Sequence, residues 1–442
     1  MPGSVSNLPV QISSEAAATT VCEINKVVNL TVNNTKLLYE LPGGDNNCLT
    51  KNDNVTKFVV VSDNATTLPT SPLAPGLVVD SGGQGPGAVI DLSTGLATHI
   101  LLLDAANSNT LKLMNVTTNA ITTIQANVGD VDFLVQDTSD RVFLHGGATR
   151  NILYLYTVST NSLVPLVTGA SSLKHGRLVG DGTNLYVAEQ ATGKLYKVPM
   201  NATGPSDVVT LLASVGFPLG GITGGNDAVV VTTNNVFLQT YVPCSGGCTP
   251  PNEALDASGL YRVSKAGGAA TPIITHAVGT GIFNVRSAGS LLYYNHKFAP
   301  TIPQANIINE NGTPVFSSPI TCPGGCAGWQ AVIQFPTFFV RTSDQPLSKV
   351  ILTAFANATQ NGATLSAFDA PTGVQGATLG IVPATTPTLR SLFGDDGLDT
   401  VTLLIGQQNG SPNNLLFFVD TVLDGSLTQV PTGTAAPWFF AD

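Results

Sequence analysis

The sequence predicts an all-β fold made of a small four-stranded sheet that repeats along the chain. Three observations predict it. A strand–turn–strand unit recurs at a regular spacing, a second pair of short strands precedes each copy, and no stretch shows a helical apolar period over three turns.

The recurring unit is an apolar strand, a polar turn and a second strand that ends in Leu, Val or Ile. The first clear copy spans Leu111–Ile124, the second begins 42 residues later at Leu153, and the third begins another 42 residues later at Leu195. The next interval is 65 residues, because the segment with Cys244 and Cys248 interrupts it. Seven units are recognised in all, starting near Leu111, Leu153, Leu195, Leu260, Ile307, Leu365 and Leu416.

Another pair of strands precedes these units, for example Asp132–Asp137 followed by Arg141–His145. Four short strands in each unit of about 40–45 residues is typical of a β-propeller blade. One such sheet cannot bury both of its apolar faces alone, whereas blades packed radially cover each other. The predicted fold is therefore a β-propeller of about seven four-stranded blades, with eight as an alternative.

Residues 1–95 do not follow the repeat, so we divide the chain into a β-rich extension, 1–95, and a propeller, 96–442. The extension contains three predicted strands, at Lys26–Val32, Lys36–Leu41 and Lys57–Ser62, and then a Pro/Gly-rich linker. It could form an eighth blade, a lid, or an arm that donates strands to a neighbouring molecule. A lid or an extra blade is the preferred interpretation.

The C-terminal aromatic residues are predicted to close the ring. The unit at 98–124 lacks an evident first strand, and a tail that exposed Trp438, Phe439 and Phe440 to water would be costly. We expect these three residues to supply the missing strand.

Six cysteines form three local pairs, namely Cys22 with Cys48, Cys244 with Cys248, and Cys322 with Cys326. An even count in a charge-poor chain favours disulfides formed in an oxidising compartment. The alternative is a four-cysteine metal site built from the two C-x3-C motifs.

The first residues lack the basic and apolar regions of a secretory leader, so we expect the numbering to describe a processed chain. No apolar run is long enough to predict a transmembrane helix.

Nine N-x-[ST] sequons permit surface glycosylation, although several would arise by chance in a chain so rich in Asn and Thr. They lie at Asn29, Asn33, Asn54, Asn64, Asn115, Asn201, Asn311, Asn357 and Asn409.

Composition excludes nucleic-acid binding, because the formal net charge is −10 and charged residues make up only 10% of the chain. No nucleophile elbow, zinc-protease motif or phosphate-binding loop occurs, so no catalytic, cofactor-binding or metal residue is assigned.

His145 and His296 end equivalent second strands, which makes an acid–base or metal role conceivable. Asp-rich segments at 137–140, 181–184 and 395–399 indicate turns, with calcium binding as the alternative.

The strands Gly193–Val198 and Gly259–Val263 carry a Leu-Tyr-x-Val pattern, and with them residues 96–442 resemble the broad class of secreted seven-bladed β-propellers. That class hosts lectins, hydrolases, lyases, lactonases and scaffolds, so the resemblance sets no single function. We expect an extracellular or cell-surface protein (or a periplasmic one) that binds a protein, a glycan or copies of itself, and that is able to assemble into filaments. The alternative is a propeller hydrolase of the lactonase or glycosidase kind, with calcium and a site at the central funnel. Tyr154, Tyr156, Tyr241 and Tyr294 are the candidates for stacking on sugars.

Overall fold

The computed structural model describes the following residues: 23–31, 34–62, 65–67, 73–78, 87–129, 131–169, 171–174, 181–220, 228–242, 257–276, 280–288, 290–298, 304–319, 337–340, 349–356, 362–369, 375–383, 388–393, 401–407, 414–420 and 427–430. Within these ranges the structure is almost entirely β. The one helical element among them is a single 3-10 turn at Pro205–Asp207.

The described strands form eight antiparallel sheets, and each sheet uses strands that are consecutive in the chain. The first four sheets comprise the following strands: sheet 1, β1 (Glu23–Thr31), β2 (Asn34–Leu41), β3 (Val55–Ser62) and β4 (Ala65–Thr67); sheet 2, β5 (Leu77–Val78), β6 (Ala88–Asp91), β7 (Leu96–Asp104), β8 (Thr110–Asn115) and β9 (Ile121–Gln125); sheet 3, β10 (Asp132–Thr138), β11 (Arg141–Gly146), β12 (Ile152–Thr157) and β13 (Ser162–Thr168); sheet 4, β14 (Leu173–Lys174), β15 (Asn184–Glu189), β16 (Leu195–Pro199) and β17 (Val209–Leu212).

The other four sheets have the same meander order: sheet 5, β18 (Val229–Val231), β19 (Asn235–Val242), β20 (Ala257–Ser264) and β21 (Thr271–Ile274); sheet 6, β22 (Thr280–Ala288), β23 (Leu291–Phe298), β24 (Gln304–Asn309) and β25 (Pro314–Pro319); sheet 7, β26 (Thr337–Val340), β27 (Lys349–Ala356), β28 (Gly362–Asp369) and β29 (Gln375–Pro383); sheet 8, β30 (Thr388–Phe393), β31 (Val401–Gln407), β32 (Asn414–Asp420) and β33 (Leu427–Val430).

Each of the seven units recognised in the sequence begins at the third strand of one of the sheets 2 to 8. The unit Leu111–Ile124, for example, corresponds to β8 and β9, and the unit that starts at Leu153 corresponds to β12 and β13. The repeat therefore marks one hairpin per sheet, and the prediction of a four-stranded repeating sheet is confirmed for this part of the chain.

Neighbouring sheets are stacked face to face, and the second strand of a sheet supplies side chains to both interfaces. In β7, Leu101 and Leu103 pack with sheet 3, whereas Ile100 and Leu102 pack with sheet 1. All four are fully buried, because successive side chains of a strand point to opposite faces and each face is covered.

The same alternation continues through sheets 3 to 6. Val142 and Leu144 of β11 face sheet 2, and Phe143 between them faces sheet 4. Shared apolar clusters of this kind join sheets 1 and 2, 2 and 3, 3 and 4, 4 and 5, and 5 and 6. Because meander sheets stacked on both faces are the arrangement of propeller blades, the protein is a β-propeller.

Sheet 1 lies outside the recognised repeat but packs like the other sheets. Its Leu38 and Phe58 share an apolar cluster with Ile100 and Leu102 of sheet 2. The predicted boundary between 1–95 and 96–442 falls between β6 and β7, which pair with each other in sheet 2. The division into two parts itself stays a prediction.

The first strand of sheet 2 is split into two short strands, β5 and β6, which pair with opposite ends of β7. The edge of β7 that was expected to be vacant is therefore occupied. The Gly/Pro-rich segment between β5 and β6 hid both strands in the sequence. Trp438, Phe439 and Phe440 lie outside the described residues, so their role in ring closure stays a prediction.

Among the described residues, polar contacts also join sheets 1 and 2, 3 and 4, 4 and 5, and 5 and 6 at a recurring position, the connection after the third strand. In three of these contacts, a Lys or Arg side chain of one sheet donates to a backbone carbonyl in the connection after the third strand of the next sheet. The three pairs are Lys36 Nζ and Val116 O at 2.9 Å, Arg141 and Ala202 O, and Arg262 Nη1 and Glu310 O at 3.0 Å.

A fourth contact at this position is an ion pair between sheets 4 and 5. Lys265 follows β20, and its Nζ lies 2.9 Å from Asp181 Oδ2 in the turn before β15. Burial opposes ionisation of Asp181, but the bonds from Lys265, Asn184, Tyr186 and Thr183 outweigh it and lower the pKa of Asp181 to about 2. The carboxylate therefore stays charged at neutral pH and joins the two sheets.

The meander gives the stack two different ends. The connections after first and third strands lie at one end, which we call the turn face, and the connections after second and fourth strands lie at the other, the loop face. The four longest connections, residues 42–54, 213–228, 243–256 and 320–336, all join strand ends at the loop face.

We predict that truncation of Phe143 destabilises the fold strongly. Its ring is fully buried between sheets 3 and 4, so Phe143→Ala should cost about 3–5 kcal/mol in the free energy of unfolding, measured by urea denaturation. Leu92→Ala is the control, because this side chain is 55% exposed. Equal, small effects of the two substitutions would contradict face-to-face stacking of the sheets.

A second prediction concerns Lys36, which is 2% exposed and whose pKa is lowered by burial to about 8. Between pH 8 and 10.5 the unfolded lysine still holds a proton that the folded one has lost. Stability therefore rises with pH in this window, by at most about 1.4 kcal/mol per unit.

Lys36→Met has no such group, so the stability of the wild type relative to this variant should increase from about pH 7 to about pH 9.5. Urea denaturation at several pH values measures this difference, and tyrosine titration cancels because both proteins contain the same tyrosines. Parallel pH profiles would show that Lys36 does not titrate in this range.

Candidate functional site at the loop face

Buried carboxylates lie at the loop-face ends of three second strands. They are Glu40 of β2, Asp104 of β7 and Glu189 of β15, and all three are less than 9% exposed. A carboxylate this deeply buried needs hydrogen-bond donors to offset its lost hydration.

Each of these carboxylates receives at least one donor from a connection at the loop face. Asn54 Nδ2 and Lys51 Nζ donate to Glu40 Oε1 at 2.5 and 2.9 Å. Ser171 N and Thr192 Oγ1 donate to the two oxygens of Glu189 at 3.2 and 2.7 Å.

Asp104 is bound in the same way, by Asn107 Nδ2 at 2.8 Å and by Lys112 Nζ at 2.5 Å. Burial disfavours its charge, but the bonds from Lys112 and Asn107 outweigh burial and hold the pKa of Asp104 below its ordinary value. The three carboxylates therefore anchor loops, and their oxygens are engaged within the protein.

A second group at the loop face is a cluster of rings around His276, which follows β21. Its Nε2 lies 2.9 Å from Thr240 Oγ1, and its Nδ1 lies 3.4 Å from the Tyr261 hydroxyl. The Phe217 ring packs on the imidazole with centroids 4.2 Å apart. We call Phe217, Thr240, Tyr261 and His276 the His276 cluster.

The backbone creates space for this imidazole at Gly259. A Cβ at that position would lie 2.8 Å from His276 Nε2 and 2.9 Å from Thr240 Oγ1, so only glycine fits without displacing the ring. Burial among these groups lowers the pKa of His276. The ring is therefore neutral at physiological pH.

The distance between Thr240 and His276 matches that of a nucleophile and its base, but the threonine is fully buried. A dissolved substrate has no access to its hydroxyl, which removes nucleophilic attack by Thr240. The partly exposed rings of Phe217, Tyr261 and His276, bordered by hydroxyl groups, are suited to contact a ligand surface instead.

Cys48, one of the six cysteines, lies at the same face. Cys48 is disulfide-bonded, and it lies in the connection between β2 and β3. Cys22, Cys244, Cys248, Cys322 and Cys326 lie outside the described residues, so their pairing stays a prediction. The strand ends that flank these cysteines all lie at the loop face. They are the start of β1, the end of β19 and the start of β20, and the end of β25 and the start of β26.

The histidines highlighted in the sequence do not form a described site. His145 and His296 do belong to second strands, β11 and β23. His145 is only 1% exposed, which keeps it away from dissolved substrates. The side chain of His296 lies outside the described residues.

Three of the four tyrosines proposed for sugar stacking are core residues. Tyr154, Tyr156 and Tyr294 are less than 9% exposed and pack between sheets, and burial raises the pKa of Tyr156 and of Tyr294 to about 12. Tyr241 alone among the four is half-buried, beside Gly220 at the loop face.

The acidic segments have the predicted turn role where they are described. Asp181 Oδ1 accepts from the backbone N–H groups of Thr183 and Asn184 at 3.1 and 2.8 Å. Asp140 accepts from the backbone and hydroxyl of Ser159. Residues 395–399 lie outside the described residues, so calcium binding there stays a prediction.

Among the described residues, no group of three or more His, Cys, Asp or Glu side chains is arranged to hold a metal ion. Within the same ranges, no helix has the length and apolar character needed to span a bilayer.

Comparison with protein-family models and with curated proteins gives no match. Solved structures with a similar fold include dihydro-heme d1 dehydrogenase NirN, with 13% identity, a TM-score of 0.48, and coverage of 98% of this chain and 78% of that one. The Dos1 propeller matches with 8% identity and a TM-score of 0.46, over 94% of this chain and 87% of its own. AztD of Citrobacter koseri matches with 8% identity and a TM-score of 0.43, over 86% and 92%. Similarities at this level carry no functional argument.

We predict that Gly259→Ala displaces His276 from Thr240, because the new Cβ would overlap both side chains. The imidazole should become more exposed, and its pKa should rise toward the ordinary value, as measured by an NMR titration. Gly204→Ala is the control, since a Cβ there meets nothing within 4 Å. An unchanged His276 titration in Gly259→Ala would contradict the close packing.

Proposed function

We propose that this β-propeller is an extracellular or cell-surface binding unit, and that it contacts a protein, a glycan or further copies of itself through its loop face. The single observation that carries the proposal is the difference between the two faces. The four longest connections join strand ends at the loop face, every cysteine-flanking strand end lies there, and the same face holds the His276 cluster.

Binding sites in repeat folds are commonly built on connections that a rigid scaffold holds in place. Here the scaffold is the stack of sheets, and Glu40, Asp104 and Glu189 fix the loops to it through buried hydrogen bonds. Such anchoring lowers the entropy cost of binding at the connections that these bonds order, which are residues 42–54, 105–109 and 190–194.

The placement outside the cell is supported by cysteine usage. Cys48 is disulfide-bonded, and persistent disulfides are typical of oxidising compartments, including the periplasm and the cell exterior. The low fraction of charged residues, 10%, favours contact between copies, so assembly into filaments is part of the proposal. Nothing among the described residues supports the hydrolase alternative.

The proposal predicts that loop-face and turn-face substitutions differ in their effect on binding. Phe217→Ser removes a partly exposed ring of the His276 cluster, and it should weaken binding by about tenfold or more. The measurements are binding of the purified protein to a glycan array and its self-association in sedimentation experiments.

Leu92→Ser is the matched control, because Leu92 is 55% exposed between β6 and β7 at the turn face. This variant should bind and associate like the wild type. Equal losses in both variants would contradict a loop-face site, and a monomer that binds no glycan would exclude glycan binding and self-assembly together.

A further inference from the structure

The sequons are distributed unequally between the two faces. Six of the nine lie in or beside connections that follow first or third strands, and therefore at turn-face strand ends: Asn29, Asn33, Asn64, Asn115, Asn201 and Asn311. The strand ends that flank the cysteines all lie at the opposite face. Modification by glycans and binding by loops would thus use separate surfaces.

Asn201 is exposed, as is Asn311, among the sequon asparagines whose side chains are described. It follows β16 and is exposed, whereas the next residue, Ala202, is 1% exposed and its carbonyl accepts from Arg141 of the neighbouring sheet. The turn is therefore held by its backbone, and the Asn201 side chain projects into solvent.

Asn311 occupies the corresponding turn of sheet 6, after β24. It is exposed, and its Oδ1 accepts from Arg262 Nη1 at 2.8 Å. This bond uses the amide oxygen and not Nδ2, the atom that would carry a sugar. Thr313, the third sequon residue, is exposed as well.

Asn54 has the opposite environment. It is fully buried, and its Nδ2 donates to Glu40 Oε1 at 2.5 Å and to Cys48 O at 3.1 Å. A glycan would replace one of the two hydrogens of this nitrogen, so at least one of the two bonds would be lost, and a buried site has no room for a sugar; a chain modified there should not fold.

We propose that Asn201 and Asn311 are N-glycosylation sites of this protein and that Asn54 is not. The inference rests on the proposed passage through a secretory compartment. In the reaction, a bond forms between Asn Nδ2 and C1 of an oligosaccharide, while the bond from C1 to its lipid pyrophosphate carrier breaks. The amide loses one proton, and the lipid pyrophosphate leaves.

The test is expression of the full chain behind a secretion leader in a eukaryotic host, followed by peptide mass spectrometry with and without peptide N-glycosidase. Glycopeptides containing Asn201 and Asn311 should be found, and the glycosidase should convert these two residues to Asp. The Asn54 peptide should be unmodified in the folded, secreted protein.

Two substitutions of one residue provide the matched control. Thr313→Val removes the sequon while it keeps the side-chain shape, so it should abolish the glycan on Asn311 only. Thr313→Ser keeps the sequon and should retain that glycan. The backbone N–H of Thr313, which donates to Asn309 Oδ1 at 3.0 Å, is the same in both variants.

Unmodified Asn201 and Asn311 in a secreted, folded chain would overturn the inference, and so would a glycan on Asn54 in that chain. Retention inside the host cell would count against the proposed secretion instead. Glycan occupancy at Asn201 and Asn311 would then be measured on the retained chain. In this way a failure of the glycosylation inference is distinguished from a failure of the proposed secretion.

Discussion

The structure depends on one constraint, which is that the second strand of a sheet is apolar on both sides. Leu101 and Leu102 are neighbours in β7, both are fully buried, and they belong to two different interfaces. Burial of each such side chain stabilises the fold by about 1.5–3 kcal/mol, but only if both faces are covered. An isolated sheet of this sequence would expose both apolar faces to water. Stacking of each sheet between two neighbours follows from this requirement.

Because both faces of β7, β11, β15 and β19 are used for packing, polar chemistry in these sheets is confined to strand ends and connections. Asp104 and Glu189 illustrate this at the loop face, where each carboxylate ends a second strand and receives hydrogen bonds from nearby loops. The His276 cluster likewise forms at the loop-face end of sheet 5, where the chain that precedes β18 meets the end of β21. The fold therefore determines where a binding surface can lie, and the loop sequences determine what it binds.

The sequence predicted the repeat well and the site poorly, for physical reasons. The third strands have a strong local pattern, so units such as Leu195 were found at the correct spacing. The strands of sheet 1 lack that pattern, so the sequence predicts residues 1–95 as a separate β-rich part that forms a lid or an extra blade. The first strand of sheet 2 escapes prediction because a Gly/Pro-rich segment divides it. Phe217 and His276 are far apart in the chain, and their contact depends on packing that no local signal reports. Gly259 was the available clue, since a glycine inside a strand often marks a close approach.

The two faces differ in how their connections are held, and this difference separates their roles. At the turn face, backbone carbonyls such as those of Val116 and Ala202 accept bonds from the preceding sheet, so these turns are held through their backbone. At the loop face, buried carboxylates bind the bases of the loops and leave the loop tips available. A change of an exposed turn side chain such as Asn201 thus leaves the backbone contact between the two sheets intact. A change in a loop tip likewise leaves the anchoring carboxylate paired, so either surface can change chemically without loss of the stacked core.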